Sequence, residues 1–337
     1  MPKRSPAVQL DRAIDALLVA LQPAPEPNPS PVLAQLMPIA TALRSLPRPE
    51  FKAALKSDLQ RRISVNEATA PSPSSPKVAN FRRPNFPNIA PYFLVKGAPQ
   101  FIDFLVSAFD GTVRIRVPKP DGSIMHVEVA IGDSVIELSD ANEQYPARSM
   151  TTHLYVPDAD ATYARALQAG ATPIHAPTDE HPSGDRWGEA KDPFGNTWYI
   201  ATRKGWTPGP EGALTVQPYL HLRDAHKMIP FVESALGAKA TGVHRSAEGL
   251  VVHATIEIAG ATFEIDEVQH DSQPTQSYLH VYVPDADAVY AQAVRAGATS
   301  VTPPNDAPYG DRAATVKDPF GNTWFLATYL GTSQPKL

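Results

Sequence analysis

Residues 153–172 read HLYVPDADATYARALQAGAT, and residues 280–299 read HVYVPDADAVYAQAVRAGAT. Fifteen of these 20 positions are identical. A second stretch, DPFGNTW, stands at Asp192–Trp198 and again at Asp318–Trp324. Pro91-Tyr92 matches Pro218-Tyr219, and His126 matches His253. The offset is 127 residues up to the long loop and 126 after it, so one residue was lost in that loop. Agreement of this length requires an internal duplication, and a reading of one copy is a reading of both.

Working outward from the repeat, Thr151–Val156 is an apolar strand. It leads to a helix over 160–169 that Gly170 ends as a C-cap glycine. Two or three strands follow, the last over 197–201. Asp192-Pro193 and Phe194-Gly195-Asn196 supply the turn before that strand. The same order stands upstream: a strand over 91–95, a helix near 99–109, and strands near 112–117, 124–131 and 134–138. The pattern is βαβββ twice per copy and four times in the chain, an α+β architecture.

The chain has 337 residues, no cysteine and a net charge of -5. Disulfides, thiolate zinc sites and a cysteine nucleophile are excluded. Residues 1–83 carry 12 Lys/Arg and 6 Asp/Glu, which leaves -11 on the remainder. A basic extension could dock on the acidic body, or the two could be unrelated solvated surfaces. Leu10, Ile14, Leu17, Leu18 and Leu21 recur at helical spacing, as do Phe51, Leu55, Leu59 and Ile63. Residues 1–65 are therefore expected to be a helical extension. Residues 66–87, rich in Pro and Ser, are expected to be a mobile linker that proteases cut first. Two domains over 88–203 and 214–330 follow, joined by a linker over 204–213. No stretch is apolar enough for a signal peptide or a membrane span. The expectation is a cytoplasmic protein with a small-molecule ligand or substrate, and without nucleic-acid or membrane partners. The two copies form a pseudo-dimer within one chain, and a homodimer of chains is compatible with it.

The apolar strand, the helix ending in AGAT, the Gly-Asp-Arg loop and DPFGNTW together resemble the vicinal oxygen chelate superfamily of glyoxalases, dioxygenases and fosfomycin- and bleomycin-resistance proteins. The segment MHVEVAIGDSVIELSD and the ending GDR…DPFGNTW are similar to its PhnB-like branch. The resemblance covers about residues 88–203 and 214–330. It implies tandem glyoxalase-like domains, each of two βαβββ modules that form a curled sheet cup around a small ligand. It also implies a divalent metal held by four side chains. Aligned strand by strand, those positions fall near Ala90, Glu137, Thr151 and Tyr199 in the first copy. In the second copy they fall near Gln217, Glu264, Tyr278 and Phe325. Only Glu137 keeps metal-binding chemistry in the first copy, and Gln217 and Glu264 in the second.

Histidines supply a partial replacement. His153 and His280 lie two residues beyond Thr151 and Tyr278, and His221 lies four beyond Gln217, so strand alternation places each on the same face as its aligned position. The second copy thus offers Gln217, His221, Glu264 and His280 as a non-standard metal set, with Glu264 as base or ligand and His280 as ligand or acid. Tyr219, Tyr278, Tyr282 and Phe325 are its candidate ligand-binding rings. The first copy offers Glu137 and His153 and is expected to be degenerate. A buried histidine anchored by a carboxylate would explain the same spacings without function. The facing of His126 and His253, cup or outside, stays open, with a surface or satisfied histidine the expectation; Trp198 and Trp324 are expected in the core. Asp185-Arg186 and Asp311-Arg312 are expected to be structural ion pairs. Two functions stay open: a glyoxalase-like, metal-assisted lyase or isomerase, and a non-catalytic binder of a small aromatic molecule.

Overall fold

A computed structural model describes residues 81–181, 183–204, 215–268 and 273–331. The helical extension expected over 1–65 and the linker segments 66–80 and 205–213 lie outside the described residues.

The first module comprises β1 (Ile89–Val95), α1 (Ala98–Phe109), β2 (Thr112–Pro118), β3 (Ile124–Ile131) and β4 (Ser134–Asp140). The second comprises β5 (Thr151–Tyr155), α2 (Ala159–Gln168), β6 (Thr172–Thr178), β7 (Arg186–Lys191) and β8 (Thr197–Thr202). The third runs through β9 (Val216–Leu222), α3 (Ala225–Leu236), β10 (Lys239–Arg245), β11 (Val251–Ile258) and β12 (Ala261–Glu267). The fourth runs through β13 (Tyr278–Tyr282), α4 (Ala286–Arg295), β14 (Thr299–Asp306), β15 (Asp311–Lys317) and β16 (Thr323–Tyr329). The βαβββ order holds in all four.

The repeated motifs explain why these elements form. In VPDAD, Asp158 and Asp285 are helix N-caps whose carboxylates accept the amides of Ala161 and Ala288, each at 2.9 Å. They satisfy donors that a helix start otherwise leaves open. In DPFGNTW, the buried Asp192 carboxylate accepts the amides of Phe194 and Asn196, the Asn196 side chain and the Trp198 indole N–H, all within 2.9 Å. Asp318 does the same for Phe320, Asn322 and Trp324. Gly195 and Gly321 take positive φ values of 92° and 98°, which other residues rarely adopt. The motif is a turn that locks a core tryptophan in place; Trp198 and Trp324 are fully buried, as expected.

The apolar cores follow the two copies. α1 and α2 pack over one core that includes Phe93, Phe101, Leu105, Leu154 and Trp198. α3 and α4 pack over the other, with Leu220, Phe263, Leu279 and Trp324. The first residues of β1 and β9 are exchanged: Ile89 belongs to the second copy's core and Val216 to the first's.

The sheets do not follow the copies. One eight-stranded sheet has the order β14-β15-β16-β13-β1-β4-β3-β2, and the other β10-β11-β12-β9-β5-β8-β7-β6. β1 pairs antiparallel with β13, and β5 with β9. Thus the outer modules, first and fourth, share one sheet, and the inner modules, second and third, share the other. Each sheet face turned away from the helices is called here the outer cup or the inner cup. Each cup takes strands from both copies, so one chain completes both.

Candidate functional site

This pairing divides the expected second-copy set. Gln217, His221, Glu264 and Tyr219 line the inner cup. His280, Tyr278, Tyr282 and Phe325 line the outer cup. Glu264 therefore meets His153, and Glu137 meets His280, each partner coming from the other copy. The expected partnership of Glu264 with His280 does not occur. Nor is either cup the property of one copy, so the first copy's residues are not a degenerate set of their own.

The inner cup is built at the junction of β5, β9, β12 and β8. His153 faces Gln217 across the antiparallel β5–β9 pair and neighbours Tyr199 on β8. Tyr219 neighbours Glu264, and His221 neighbours Asp266, along β9 and β12. The His153 Nδ1 lies 2.8 Å from the Glu264 carboxylate, the Tyr155 hydroxyl donates to the same carboxylate at 3.4 Å, and His253 Nε2 lies 3.7 Å away. Burial alone would push the Glu264 carboxyl up. The His153 and His253 rings beside it outweigh burial and hold it well below the usual carboxylate range.

A carboxylate only accepts, so the neutral form of the His153 ring carries its proton on Nδ1. Its Nε2 is then the chemically open end, and that atom is buried with no hydrogen-bond partner. Leaving it so costs about 1–3 kcal/mol. A second chain runs beside the first. His221 Nδ1 donates to Asp266 at 2.5 Å, and the Tyr199 hydroxyl donates to His221 Nε2 at 3.1 Å. Aromatic rings pave the remainder: Tyr199 meets Tyr219 edge-on at 5.3 Å and Trp187 at 5.5 Å, and His181 stacks on Trp187 at 4.9 Å.

The outer cup repeats the first pair with different surroundings. His280 Nδ1 lies 2.7 Å from Glu137. Burial opposes the charged forms of both, but their mutual attraction prevails, raising the His280 pKa and lowering that of Glu137. His126 is half-buried in this cup, with its Nε2 3.5 Å from Glu128 and 3.8 Å from Glu137. Of the two orientations open for His126 and His253, the structure has the cup: both approach the cup glutamates, because β3 and β11 turn them to the face of β4 and β12. The Tyr282 hydroxyl donates to Asp311 at 2.7 Å, and Tyr278 donates to the Pro146 carbonyl at 3.0 Å. The expected Asp311-Arg312 and Asp185-Arg186 pairs do not form. Arg312 bonds Asp287 and Asp306, and Arg186 bonds Asp160 and Asp179.

The aligned metal positions, regrouped by cup, are Thr151, Tyr199, Gln217 and Glu264 inside, and Ala90, Glu137, Tyr278 and Phe325 outside. Neither set fits a divalent ion. Tyr199 is kept protonated by burial and by Glu189 and Asp266, and the Gln217 oxygen already accepts the Thr262 hydroxyl at 2.8 Å. Ala90 and Phe325 offer no donor. Among the described residues, His126, Glu128 and Glu137 could converge on an ion, but the Arg83 guanidinium already pairs with Glu128 there. Asp224, His226 and Glu267 also converge. Yet Asp224 pairs with Lys227, and Glu267 takes His226 and the Val251 amide.

These folds and cups define a class of paired βαβββ modules with polar, ring-lined sheet faces. The chain belongs to the Glyoxalase/Bleomycin resistance protein/Dioxygenase superfamily, whose profile matches residues 89–200 and 219–326. An uncharacterized protein of Mycobacterium bovis is 40% identical over 125 residues, spanning 34% of this chain and 82% of the relative. The crystal structure of glyoxalase I from Zea mays matches with a TM-score of 0.56 at 16% identity, over 71% of this chain and 92% of that one. An antibiotic binding protein, TnmS3 from Streptomyces sp. CB03234, matches at 23% identity with a TM-score of 0.29, over 34% of this chain and 92% of that one. The likeness to the maize structure is one of fold. Among the described residues no helix is long and apolar enough to cross a membrane.

Proposed function

We propose that the inner cup binds a small planar organic molecule that bears a hydroxyl group, and that it does so without the divalent metal usual in the family. The observation that carries this reading is His153 Nε2, buried and unpartnered beside Glu264. A phenolic or enolic O–H donated to that nitrogen would remove the cost of leaving it bare. Tyr199, Tyr219 and Trp187 supply ring faces for a planar body. The donor set argues against the metal. Its one carboxylate, Glu264, is engaged by two histidines and a tyrosine, and the remaining positions are a threonine, an amide and a neutral phenol.

The same dyad supports a second reading, proton transfer. His153, oriented by Glu264 at Nδ1, could take the ligand's proton at Nε2 and return it, as a general base does. Binding and proton transfer need the same geometry and differ in whether the ligand is altered.

The test is a thermal-shift screen of phenols, hydroxyquinones and hydroxylated aromatic acids, followed by titration of the hits with and without chelator. The expected result is stabilisation by planar hydroxylated compounds, unchanged by chelator and lost in His153→Ala. Stoichiometric bound metal whose removal abolishes binding would overturn the proposal. Conversion of a hit to product would make the protein an enzyme of the second kind.

A further inference from the structure

We propose that the outer cup is a binding site for an aromatic cation, and that the chain's own Phe86 and Arg83 occupy it as a tethered stand-in. Residues 81–88 have the composition of a linker but cross the outer cup before entering β1. Phe86 is only 2% exposed. Its ring lies 5.6 Å from the His280 ring and meets Tyr282 edge-on at 5.5 Å. Arg83 lies over that ring at 4.5 Å, and its guanidinium bonds the buried Glu128 carboxylate. The backbone is pinned as well. The Asn85 carbonyl accepts from Arg114 at 2.7 Å, and the Phe81 carbonyl accepts the Tyr329 amide at 2.8 Å.

The cup these groups enter is acidic. Glu128, Glu137 and Asp311 are all buried within it. Glu137 is answered by His280, but one oxygen of Asp311 is buried without a partner. Glu128 is answered chiefly by Arg83. The fold does not require this carboxylate, because Thr255 occupies the matching place in the inner cup. An acceptor that the architecture can do without, a ring-lined recess and an arginine–phenylalanine pair together outline one ligand. It is a benzyl-like ring joined by a short chain to an ammonium or guanidinium group, with cation–π and charge-assisted contacts as the recognition chemistry. Such a ligand competes with residues 81–88 for the same space, so its arrival displaces the chain segment that precedes β1. The apparent affinity of the cup is lowered by the fraction of time the segment fills it.

The experiment uses the full-length chain and two probes, phenethylamine and benzyl alcohol, with metal-free buffer as the blank. In the Arg83→Ala/Phe86→Ala variant, calorimetry should show phenethylamine binding one site at least about tenfold more tightly than in the unaltered protein. Benzyl alcohol should bind the variant at least about tenfold more weakly than phenethylamine, and adding Glu128→Gln should erase that preference. Equal binding to variant and unaltered protein, or no preference for the amine, would overturn the proposal. If the double variant does not fold, Arg83→Gln keeps the ring in place. Hydrogen exchange at residues 81–88 of that variant should then quicken on adding phenethylamine. Exchange that does not change with the amine would equally overturn it.

Discussion

The two cups share a backbone plan, a His–Glu pair, a second histidine beside it (His126 or His253) and two tyrosines (Tyr92 and Tyr282, or Tyr219 and Tyr155), and they differ around that set. His221 in the inner cup stands where the outer cup has Leu94, Asp266 where it has Ser139, and Tyr199 where it has Phe325. Trp187 and Glu189 stand where the outer cup has Ala313 and Thr315. The inner cup therefore carries a second His–carboxylate chain ending on a tyrosine and an open imidazole nitrogen. The outer cup carries Glu128 where the inner has Thr255, and an arginine–phenylalanine pair delivered from residues 81–88. Duplication preserved what folds each copy, the VPDAD cap and the DPFGN turn, and the central His–Glu pair, and changed the groups around that pair. Because each cup draws on both copies, the copies could not diverge into a working half and a silent half. Divergence had to run between cups.

The largest expected effect tests what the copies share. Asp192→Ala strands two backbone amides, an asparagine and a tryptophan indole in the core, and Asp318→Ala does the same in the second copy. Each should cost about 3 kcal/mol or more in urea denaturation. Unequal costs would break the equivalence of the two copies. A smaller effect separates the cups. His153→Ala should weaken binding of an inner-cup ligand by more than about tenfold, about 1.4 kcal/mol, while His280→Ala leaves it within about twofold.

The smallest effect is a pH signature of the outer pair. The His280 pKa lies above its ordinary value of 6.5, so its contribution to stability is complete below that pH and is lost as pH rises through the raised value. Glu137 lies below its ordinary value of 4.5, so its contribution is present above that pH and is lost as pH falls through the lowered value. The stability difference between the unaltered protein and Glu137→Gln should therefore be greatest between pH 4.5 and 6.5. A difference that grows steadily toward alkaline pH would contradict the ion pair.

Much of this was legible in the sequence, and the reasons are local. Helix caps, a C-cap glycine and alternating strands act within a few residues, so the four βαβββ modules could be read directly. Glu264, His153, His221, Gln217 and Tyr219 could be placed on a cup face by strand alternation. Their grouping could not, because β5 and β13 are equivalent strands of the repeat, each with His and Tyr two apart, and present equivalent edges to β1 and β9. Which edges join depends on packing far along the chain. Arg83 and Phe86 were hidden by their surroundings, since proline and serine dominate the preceding segment. The signal that could have found them is the pair of aromatic residues, Phe81 and Phe86, flanking two arginines in otherwise linker-like sequence. Nothing in the repeat marks Asp266, Glu189 and Trp187, because the two copies differ at those positions.

The most direct test of a ligand site in the inner cup uses Trp187, whose ring lies 5.5 Å from that of Tyr199. A planar hydroxylated compound identified by thermal shift is titrated while tryptophan emission is followed in the unaltered protein, Glu264→Gln and Glu137→Gln, with Trp187→Phe as the control for the signal. The account predicts saturable quenching that shifts at least about tenfold to higher concentration in Glu264→Gln and stays within about twofold in Glu137→Gln. Quenching weakened by Glu137→Gln and untouched by Glu264→Gln would place the ligand in the outer cup and contradict the account.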